Sequence, residues 1–324
     1  MRAVICRGLD GPSALVFGEM PRAELGPRQV RIAVKAAGVN FADTLIVQGK
    51  YQVKPALPFV PGLEAAGTIV EVGPEASGVK VGDRVMAALG IGAFAEDVVC
   101  NASATFPMPA GMDFVSAAGF PIVYGTAQAA LSRRANLQAG ETLLVLGAAG
   151  GVGVAAVEVG KAMGAMVIAA ARGADKLEIA RKHGADHVID YAAEDIRERI
   201  KAITDGRGLD VIFDPVGGDV SDAAFRSLRW EGRIVIVGFA AGRIQQIPAN
   251  LLLVKNISAV GLFWGDYRNR DPQLTQEWFA ALARMYEQGK IKPHVSHVLP
   301  AEKAGEAMEL LLARKSTGKI VLTF

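Results

Sequence analysis

A glycine-rich junction between an apolar run and a helix-length stretch constrains the fold of this chain more than any other feature. The run Leu143–Ala148 reads LLVLGA, and a helical pattern extends from the glycines that follow it to about Gly164. Glycines at such a junction permit a tight turn, a close backbone approach to a ligand and close packing of the helix on the strand. Because a helix N-terminus attracts anions, the junction predicts a turn that binds the pyrophosphate of a dinucleotide.

The turn has the form AxGxxG, and its members are Ala148, Ala149, Gly150, Gly151, Val152 and Gly153. Ala148 stands where such motifs usually begin with glycine. A glycine motif alone is a weak signal, and the competing interpretation is a plain strand–helix turn without a ligand. The strand–turn–helix setting favours the dinucleotide.

The region after residue 142 alternates apolar runs with helix-length amphipathic segments. The runs lack polar–apolar alternation, as expected of strands buried on both faces. They cover Leu143–Ala148, Met166–Ala171, His187–Asp190, Asp210–Val216 and Arg233–Phe239. Helical stretches lie between them at Lys176–His183, Glu194–Thr204 and near Ser221–Leu228. The alternation predicts an α/β fold with a doubly wound parallel sheet.

The first 120 residues instead contain short β-like runs separated by Gly and Pro turns. These runs are Met1–Arg7, Gln29–Ala37, Gly67–Val72, Arg84–Ala88 and Ala95–Val99. The last stretch, with a predicted helix at Pro272–Gln288 and a predicted strand at Lys319–Phe324, resembles this region more than the middle of the chain. We therefore predict a mostly β catalytic domain of residues 1–121 plus 266–324, into which a nucleotide-binding domain of residues 122–265 is inserted.

Charge and cysteine content argue against several classes of protein. The 35 basic and 33 acidic residues give a net charge of +2 without a block of like charge, which disfavours nucleic acid or a membrane surface as a partner. Two cysteines, Cys6 and Cys100, are too few for a disulfide framework. With no signal-like N-terminus and no apolar stretch long enough for a bilayer, we expect a soluble, cytoplasmic protein.

The end of the second parallel strand indicates which nicotinamide cofactor binds. An NAD enzyme usually has an acidic residue there, about 20 residues after the glycine turn. Here the strand ends at Ala171, Arg172 follows it, and Lys176 is close behind. Guanidinium and ammonium groups suit the 2′-phosphate of NADPH. The competing interpretation is that both side chains only solvate the start of a helix.

Four segments carry more specific motifs: Ala37–Tyr51 (AGVNFADTLIVQGKY), Pro58–Gly73, Val79–Val85 and Gly140–Lys161. Together they resemble the medium-chain dehydrogenase/reductase superfamily, in its zinc-independent quinone oxidoreductase branch (the zeta-crystallin type), and the resemblance covers the whole chain. It implies a Rossmann domain inserted in a GroES-like catalytic domain. One departure is Glu158, which stands where the branch usually has Gln.

The resemblance also implies that no metal binds. Asn40 stands where zinc-bearing relatives have a Cys ligand, and Leu63 replaces the His of their His-Glu pair. A catalytic zinc needs three protein ligands, so two losses abolish the site. His294 and His297 have HxxH spacing, but on a strand this spacing places them on opposite faces. Without zinc there is no Lewis acid to polarise an alcohol, which disfavours alcohol dehydrogenation.

The resemblance places Asn40, Asp43 and Tyr51 near the nicotinamide, at the mouth of the cleft. Asn40 is a candidate donor to a developing oxyanion. Tyr51 matches the proton donor of related enoyl thioester reductases, since a phenol can protonate the carbanion left by hydride addition. Two alternatives stay open: Tyr51 only lines a quinone slot, and Asp43 is only a cap or turn residue.

Further positions match cofactor-binding residues of the family. Thr126 matches a contact on the nicotinamide side, and the strand ends should add Phe239, Phe263, Trp264 and Gly265. Tyr191 and Arg314 match residues that hold the adenosine phosphate, although Arg314 is equally explained as a charge at a helix C-terminus. Trp264 has a second interpretation, packing at a subunit interface. In the family the edge strand, here Ser258–Leu262, commonly pairs between subunits, and we therefore expect a homodimer.

Three functions compete on this basis. The leading one is hydride transfer from NADPH to a quinone, because a quinone is an electron-poor π system that needs no metal. The second is reduction of an activated carbon–carbon double bond in an enal, enone or enoyl thioester, which Tyr51 keeps open. The third is a protein that binds NADPH without catalysis.

Overall fold

The computed structural model describes all 324 residues, which form fifteen strands and eleven α-helices. The strands β1–β15 are, in order, Arg2–Ile5, Val16–Glu19, Gln29–Val39, Glu64–Val72, Arg84–Ala88, Asp97–Asn101, Thr105–Pro107, Thr142–Leu146, Met166–Ala171, His187–Asp190, Leu209–Asp214, Leu228–Ile236, Ser258–Gly261, Val295–Pro300 and Lys319–Thr323. The helices α1–α11 are Phe41–Ile46, Phe114–Ala118, Pro121–Gln128, Gly151–Ala162, Ala174–Lys182, Ile196–Ile203, Gly218–Phe225, Ala249–Lys255, Tyr267–Arg270, Pro272–Glu287 and Ala304–Leu312.

The chain divides into two compact units. The first contains residues 1–122, 267–283 and 293–324, and the second contains residues 123–266 and 284–292. From the sequence, residues 284–292 are predicted to belong to the catalytic domain (1–121 plus 266–324) instead. At the end of this segment, the backbone N–H of Lys292 donates to the buried carboxylate of Glu158 in the second unit, at 3.0 and 3.1 Å. Tyr124 and His183 also bond to that carboxylate, at 2.5 and 2.6 Å.

The first unit is mostly β, as predicted. Its main sheet has the order β14-β15-β3-β4-β5-β7, with β6 also paired to β3, and β1 and β2 form a separate pair. Strand β3 is long and largely buried, and its apolar side chains join those of β4, β5 and β15 in one core. Helices α1 and α2 were not predicted, since they have six and five residues and are too short for a periodic pattern.

The second unit contains the predicted doubly wound sheet. All its strand pairs are parallel, in the order β10-β9-β8-β11-β12-β13. Counted from β8, this is the 3-2-1-4-5-6 order of dinucleotide-binding folds, whose ligands bind where the order reverses, here between β8 and β11. Strands β9 and β10 have the predicted bounds. No helix anywhere in the chain is long and apolar enough to cross a membrane.

Candidate functional site

The glycine-rich turn lies between β8 and α4, at the carboxyl edge of the parallel sheet. Gly150 is the N-cap of α4, and Gly151 begins the helix. A Cβ at Gly153 would lie 2.2 Å from the carbonyl oxygen of Gly147, so only glycine lets α4 pack this closely on the strand end. The positive φ of the turn, +61°, belongs to Gly147, one residue before the predicted motif. Gly147 therefore supplies the tight turn, and Ala148 is tolerated because it needs no left-handed backbone.

The loops after β8 and β11 meet at the reversal of strand order. A Cβ at Gly147 would lie 2.9 Å from Cγ2 of Val216, two residues beyond the end of β11. Gly217 and Gly218 follow with φ of +68° and +65°. Both loops thus approach each other with little side-chain bulk, next to the N-terminus of α4. A pyrophosphate fits this edge, because backbone N–H groups are accessible there and α4 is long enough to carry a helix dipole.

The structure brings Arg172 and Tyr191 together. They follow the parallel neighbours β9 and β10, and the guanidinium of Arg172 lies 5.3 Å from the centre of the Tyr191 ring. Arg172 is exposed, and Lys176 follows in the first turn of α5. Two acidic residues lie at this edge: Asp175 is exposed in the first turn of α5, and Asp190 accepts hydrogen bonds from the backbone N–H groups of Gly173 and Ala192. The edge therefore offers cationic groups to a 2′-phosphate, and the carboxylate of Asp190 is engaged in the loop.

The predicted nicotinamide-side residues differ in exposure. Phe239 and Phe263, which follow β12 and β13, are 40% and 49% exposed. Trp264 is buried, and its ring lies against Gly125 of α3, where a Cβ would come within 2.5 Å of Cζ2. Gly265 and Thr126 are half-buried. Within this unit, Trp264 therefore acts as a packing residue of α3.

A buried carboxylate that the sequence analysis missed organises the same edge. Asp214, the last residue of β11, accepts hydrogen bonds from the backbone N–H groups of Val216 and Gly217, at 2.8 and 2.9 Å. Ser221 Oγ and Gln245 Nε2 also donate to it, at 2.5 and 3.0 Å. Burial nevertheless raises the pKa of this carboxyl. Asp214 thus ties the loop after β11 to the loop that contains Gln245.

The first unit holds a second polar cluster around Asn40. The amide nitrogen of Asn40 donates to Glu64 Oε1 at 2.9 Å and to the carbonyl of Gly38 at 3.4 Å, and its oxygen accepts from Lys319 Nζ at 2.8 Å. Glu64 Oε2 accepts from the backbone N–H of Ile122 at 2.8 Å. Both N–H groups of Asn40 have acceptors within the unit, which an oxyanion would have to displace. The predicted donor role stays a prediction, and the structure gives Asn40 a bridging position.

Asp43 lies in the first turn of α1 and is fully buried. Its Oδ2 accepts from the backbone N–H of Asn40 at 2.8 Å, which closes the start of the helix. Its Oδ1 has no hydrogen-bond partner. Burial raises the pKa of Asp43 to about 7, although the Asn40 hydrogen bond and the positive charge of Lys319 favour the ionised form. The cap interpretation of Asp43 therefore has a structural basis, and the carboxyl gains and loses its proton near neutral pH.

Tyr51 is half-buried, and its ring packs against the core of the first unit. Burial raises the pKa of its phenol, the negative charge of Asp43 adds to the rise, and the guanidinium of Arg268 opposes it. The phenol therefore keeps its proton at neutral pH. Arg268, at the start of α9, was not singled out from the sequence, because short-range patterns do not connect it with Tyr51.

The other candidates of the first unit have separate surroundings. Arg314 is exposed just after α11, with a φ of +58°. His294 Nε2 lies 3.1 Å from Thr317 Oγ1, and His297 Nδ1 lies 2.9 Å from Ser296 Oγ, so the two imidazoles have different partners. No group of three or more His, Cys, Asp or Glu side chains is arranged to hold a metal ion. A groove of about 920 Å³ in this unit, bordered by Arg28, Glu75 and Gln276, contains none of the predicted residues.

Glu64 and Lys319 belong to the polar cluster around Asn40, and neither was identified from the sequence as a site residue. Glu64 was noted only as the remnant of a His-Glu pair, and Lys319 only as the start of a strand. The available signal was a general one: a carboxylate just before a predicted strand, here Gly67–Val72, needs a cation when it is buried. Nothing in the local sequence identifies which cation.

Comparisons with known proteins agree with the fold, a mostly β GroES-like unit and a parallel dinucleotide-binding sheet. Residues 26–110 match the alcohol dehydrogenase GroES-like domain, and residues 151–285 match a family described as zinc-binding dehydrogenase. A curated relative from Nematostella vectensis, "Quinone oxidoreductase-like protein 2 homolog", is 45% identical over 99% of this chain and 88% of its own length. Its rat counterpart is 40% identical over 99% of this chain and 92% of its own length. The solved structure of Escherichia coli quinone oxidoreductase complexed with NADPH matches with a TM-score of 0.92 and 31% identity, over 100% of both chains.

Proposed function

This chain belongs to the quinone oxidoreductase branch of the medium-chain dehydrogenase/reductase superfamily, and we propose that it is an NADPH-dependent reductase of quinones. The superfamily makes it an oxidoreductase with a nicotinamide cofactor domain. The choice of NADPH and of a quinone is the proposal. The observation that supports the proposal is the edge of the sheet where the cationic side chains of Arg172 and Lys176 lie, with Tyr191 against Arg172. This edge is beside a glycine turn suited to pyrophosphate.

The residues at this edge fit NADPH better than NADH. A 2′-phosphate carries negative charge, which a guanidinium binds through paired hydrogen bonds. Arg172 follows β9 directly, and Tyr191 holds one face of its guanidinium. Asp190, one of the acids at this edge, accepts hydrogen bonds from backbone N–H groups of its own loop and of Gly173. Support also comes from the E. coli relative, which was solved with NADPH.

The substrate proposed is an electron-poor π system, and the reaction is proposed to proceed without zinc. Asn40 and Leu63 occupy the places of two metal ligands of zinc-bearing relatives, and residues 151–285, which match the family described as zinc-binding, contain no cysteine. Asn40 instead bridges Lys319 and Glu64. A bound NADPH would supply hydride to the acceptor.

The contribution of the chain itself would be to hold a proton for the product. Tyr51 has a phenol whose pKa is raised by burial, so its Oη carries a proton throughout the neutral range. Such a phenol suits protonation of a hydroquinone anion or of a carbanion. A quinone needs this proton less, because the hydroquinone anion is stabilised by its ring and water can protonate it. Tyr51 therefore discriminates between the leading function and its nearest rival.

The experiment compares NADPH oxidation by the purified protein with an ortho-quinone and with a 2-alkenal as acceptors. Wild type, Tyr51→Phe and the matched control Tyr286→Phe are assayed with each. We expect quinone turnover that survives Tyr51→Phe. Alkenal turnover that is lost in Tyr51→Phe and kept in Tyr286→Phe would replace the proposal with a reductase of activated double bonds.

A third result would indicate that the protein does not catalyse a reaction with these acceptors. Tight NADPH binding without turnover of either acceptor would favour a non-catalytic NADPH-binding protein.

A homodimer and a cytoplasmic location stay predictions. The edge strand β13 supports the dimer, since it pairs with β12 on one side only.

A further inference from the structure

Asp175 is an exposed carboxylate at the edge where the 2′-phosphate of the cofactor is proposed to bind. It is the second residue of α5, the helix that begins just after β9. Its side chain makes no hydrogen bond or ion pair with the rest of the chain. Asp190, by contrast, accepts hydrogen bonds from the backbone N–H groups of Gly173 and Ala192. Of the two carboxylates, Asp175 is therefore the one that is open to a ligand.

The position of Asp175 in the helix has a plain structural reason and a further consequence. A carboxylate in the first turn is stabilised by the positive end of the helix dipole. In sequence, however, Asp175 also stands between the two cations of the proposed phosphate site. Arg172 immediately precedes Gly173, the N-cap of α5, and Lys176 is the next residue of the helix. Because one helical turn rises only about 5.4 Å, a phosphate held by Arg172 and Lys176 would also lie close to the Asp175 carboxylate.

A carboxylate at this place has opposite effects on the two nicotinamide cofactors. The 2′-phosphate of NADPH is an anion, and the negative charge of Asp175 repels it at any separation below the screening length of about 10 Å at 0.1 M salt. NADH has a 2′-hydroxyl instead, which is a hydrogen-bond donor. A carboxylate without a partner can accept from that hydroxyl, as the acid at the end of the second strand does in NAD enzymes.

We propose that Asp175 is a specificity-determining residue that limits the preference for NADPH and lets NADH bind as well, by repelling the 2′-phosphate and accepting from the 2′-hydroxyl. The inference rests on the proposed cofactor site and adds a residue that acts against Arg172 there. The end of β9 has no acidic residue, and Asp175 supplies one from the helix that follows. The preference of this chain for NADPH is thus the difference between the effects of Arg172 and Asp175.

The test measures dissociation constants of NADPH and NADH for wild type, Asp175→Asn, Asp175→Ala and the matched control Glu178→Gln. The Asn variant removes the charge and keeps an oxygen acceptor, whereas the Ala variant removes both. Glu178 is an exposed acid of the same helix, about one turn further from the edge. At about 0.1 M salt, both Asp175 variants should bind NADPH about 3- to 10-fold more tightly, and this gain should shrink at about 0.5 M salt. Asp175→Ala should bind NADH about 3- to 10-fold more weakly, and Asp175→Asn should lose less.

Several outcomes would overturn the inference. A role in the helix dipole alone would lower the free energy of unfolding in urea and leave the ratio of the two dissociation constants as in wild type. Equal tightening of NADPH binding by Glu178→Gln would mean that only the total charge of the helix matters. NADH binding that is unchanged in Asp175→Ala would exclude the hydrogen bond to the 2′-hydroxyl. Wild-type protein that binds neither cofactor would instead refute the proposed cofactor itself.

Discussion

Lys319 Nζ lies 2.7 Å from Glu64 Oε1, and the two side chains are 5% and 0% exposed. The ammonium also donates to the carbonyl of Val39 and to Asn40 Oδ1, both at 2.8 Å. All three of its hydrogens therefore have acceptors, and Glu64 has its charge balanced inside the core. Since β15 carries Lys319 and β4 carries Glu64, this pair joins the last strand of the chain to the middle of the first unit.

Loss of the ammonium should strongly destabilise the protein. Lys319→Met leaves the Glu64 carboxylate buried without a cation, and breaking such a pair costs about 3–5 kcal/mol. The free energy of unfolding, measured with urea, should fall by that amount. Lys315→Met, at an exposed site four residues earlier, is the control and should change stability little. The double variant Lys319→Met with Glu64→Gln should recover part of the loss, and a double variant no better than the single one would contradict the argument.

Asp43 should give the protein a pH dependence opposite to that of ordinary carboxylates. Its pKa is about 7 in the folded state, against 3.8 for the ordinary group. Between these values the folded protein holds a proton that the unfolded chain releases, so this contribution to stability rises as pH falls through 7. Asp43→Asn removes it while retaining an acceptor for the Asn40 N–H.

The measurement is the free energy of unfolding of wild type and of Asp43→Asn at pH 8, 7, 6 and 5. Relative to the variant, wild type should gain about 2–3 kcal/mol from pH 8 to pH 5. The exposed Asp175→Asn serves as control. A constant difference between wild type and Asp43→Asn across this range would mean that Asp43 is ionised in the folded protein.

Arg172 should determine the preference for NADPH. Arg172→Ala removes a charge-assisted hydrogen bond to the 2′-phosphate, a loss of about 1.5–3 kcal/mol, or roughly 10- to 100-fold in affinity. Dissociation constants are measured by quenching of protein fluorescence. Binding of NADPH should be weakened, and binding of NADH should be unchanged. Arg181→Ala, an exposed site on α5, controls for general loss of positive charge. Equal weakening of NADPH and NADH binding would mean that Arg172 maintains the structure of the loop and does not recognise the 2′-phosphate.

The expected homodimer can be tested at the edge strand β13. The N–H of Leu262 donates to the carbonyl of Ile236 on β12, so by strand alternation the N–H of Ala259 points outward. Ala259→Pro removes that outward donor and leaves the pairing with β12 intact. Light scattering should give about twice 34.0 kDa for wild type and a single chain for the variant. A variant that is still dimeric would place the subunit contact elsewhere.

The sequence predicted the parts of the fold that depend on local pattern. Strands β9 and β10 have the predicted bounds because they are short and enclosed by clear helices. The start of β12 was predicted five residues late, since Leu228 precedes a register irregularity and Glu231 has a φ of +60°. No periodic pattern extends through such a break.

The site was predictable only where its residues are close in sequence. Gly150, Gly151 and Gly153 share one turn, and Arg172 and Tyr191 end adjacent strands, so both groups follow from topology. The Lys319–Asn40 contact joins residues 279 positions apart, and the Gln245–Asp214 contact joins residues 31 positions apart. Contacts of this kind depend on how the loops and strands pack, which a single sequence does not encode in any local pattern.

The distance in sequence between Asn40 and Lys319 has a consequence for biosynthesis. The chain has to be extended by 279 residues after Asn40 before Lys319 exists. At about 5–20 residues per second, this takes roughly 15 to 55 seconds. From the synthesis of Glu64 until that of Lys319, the nascent N-terminal strands contain the Glu64 carboxylate without its ammonium, so the first unit cannot reach its final core before Lys319 is made. The nucleotide-binding sheet, whose strands all lie between residues 142 and 261, can assemble earlier.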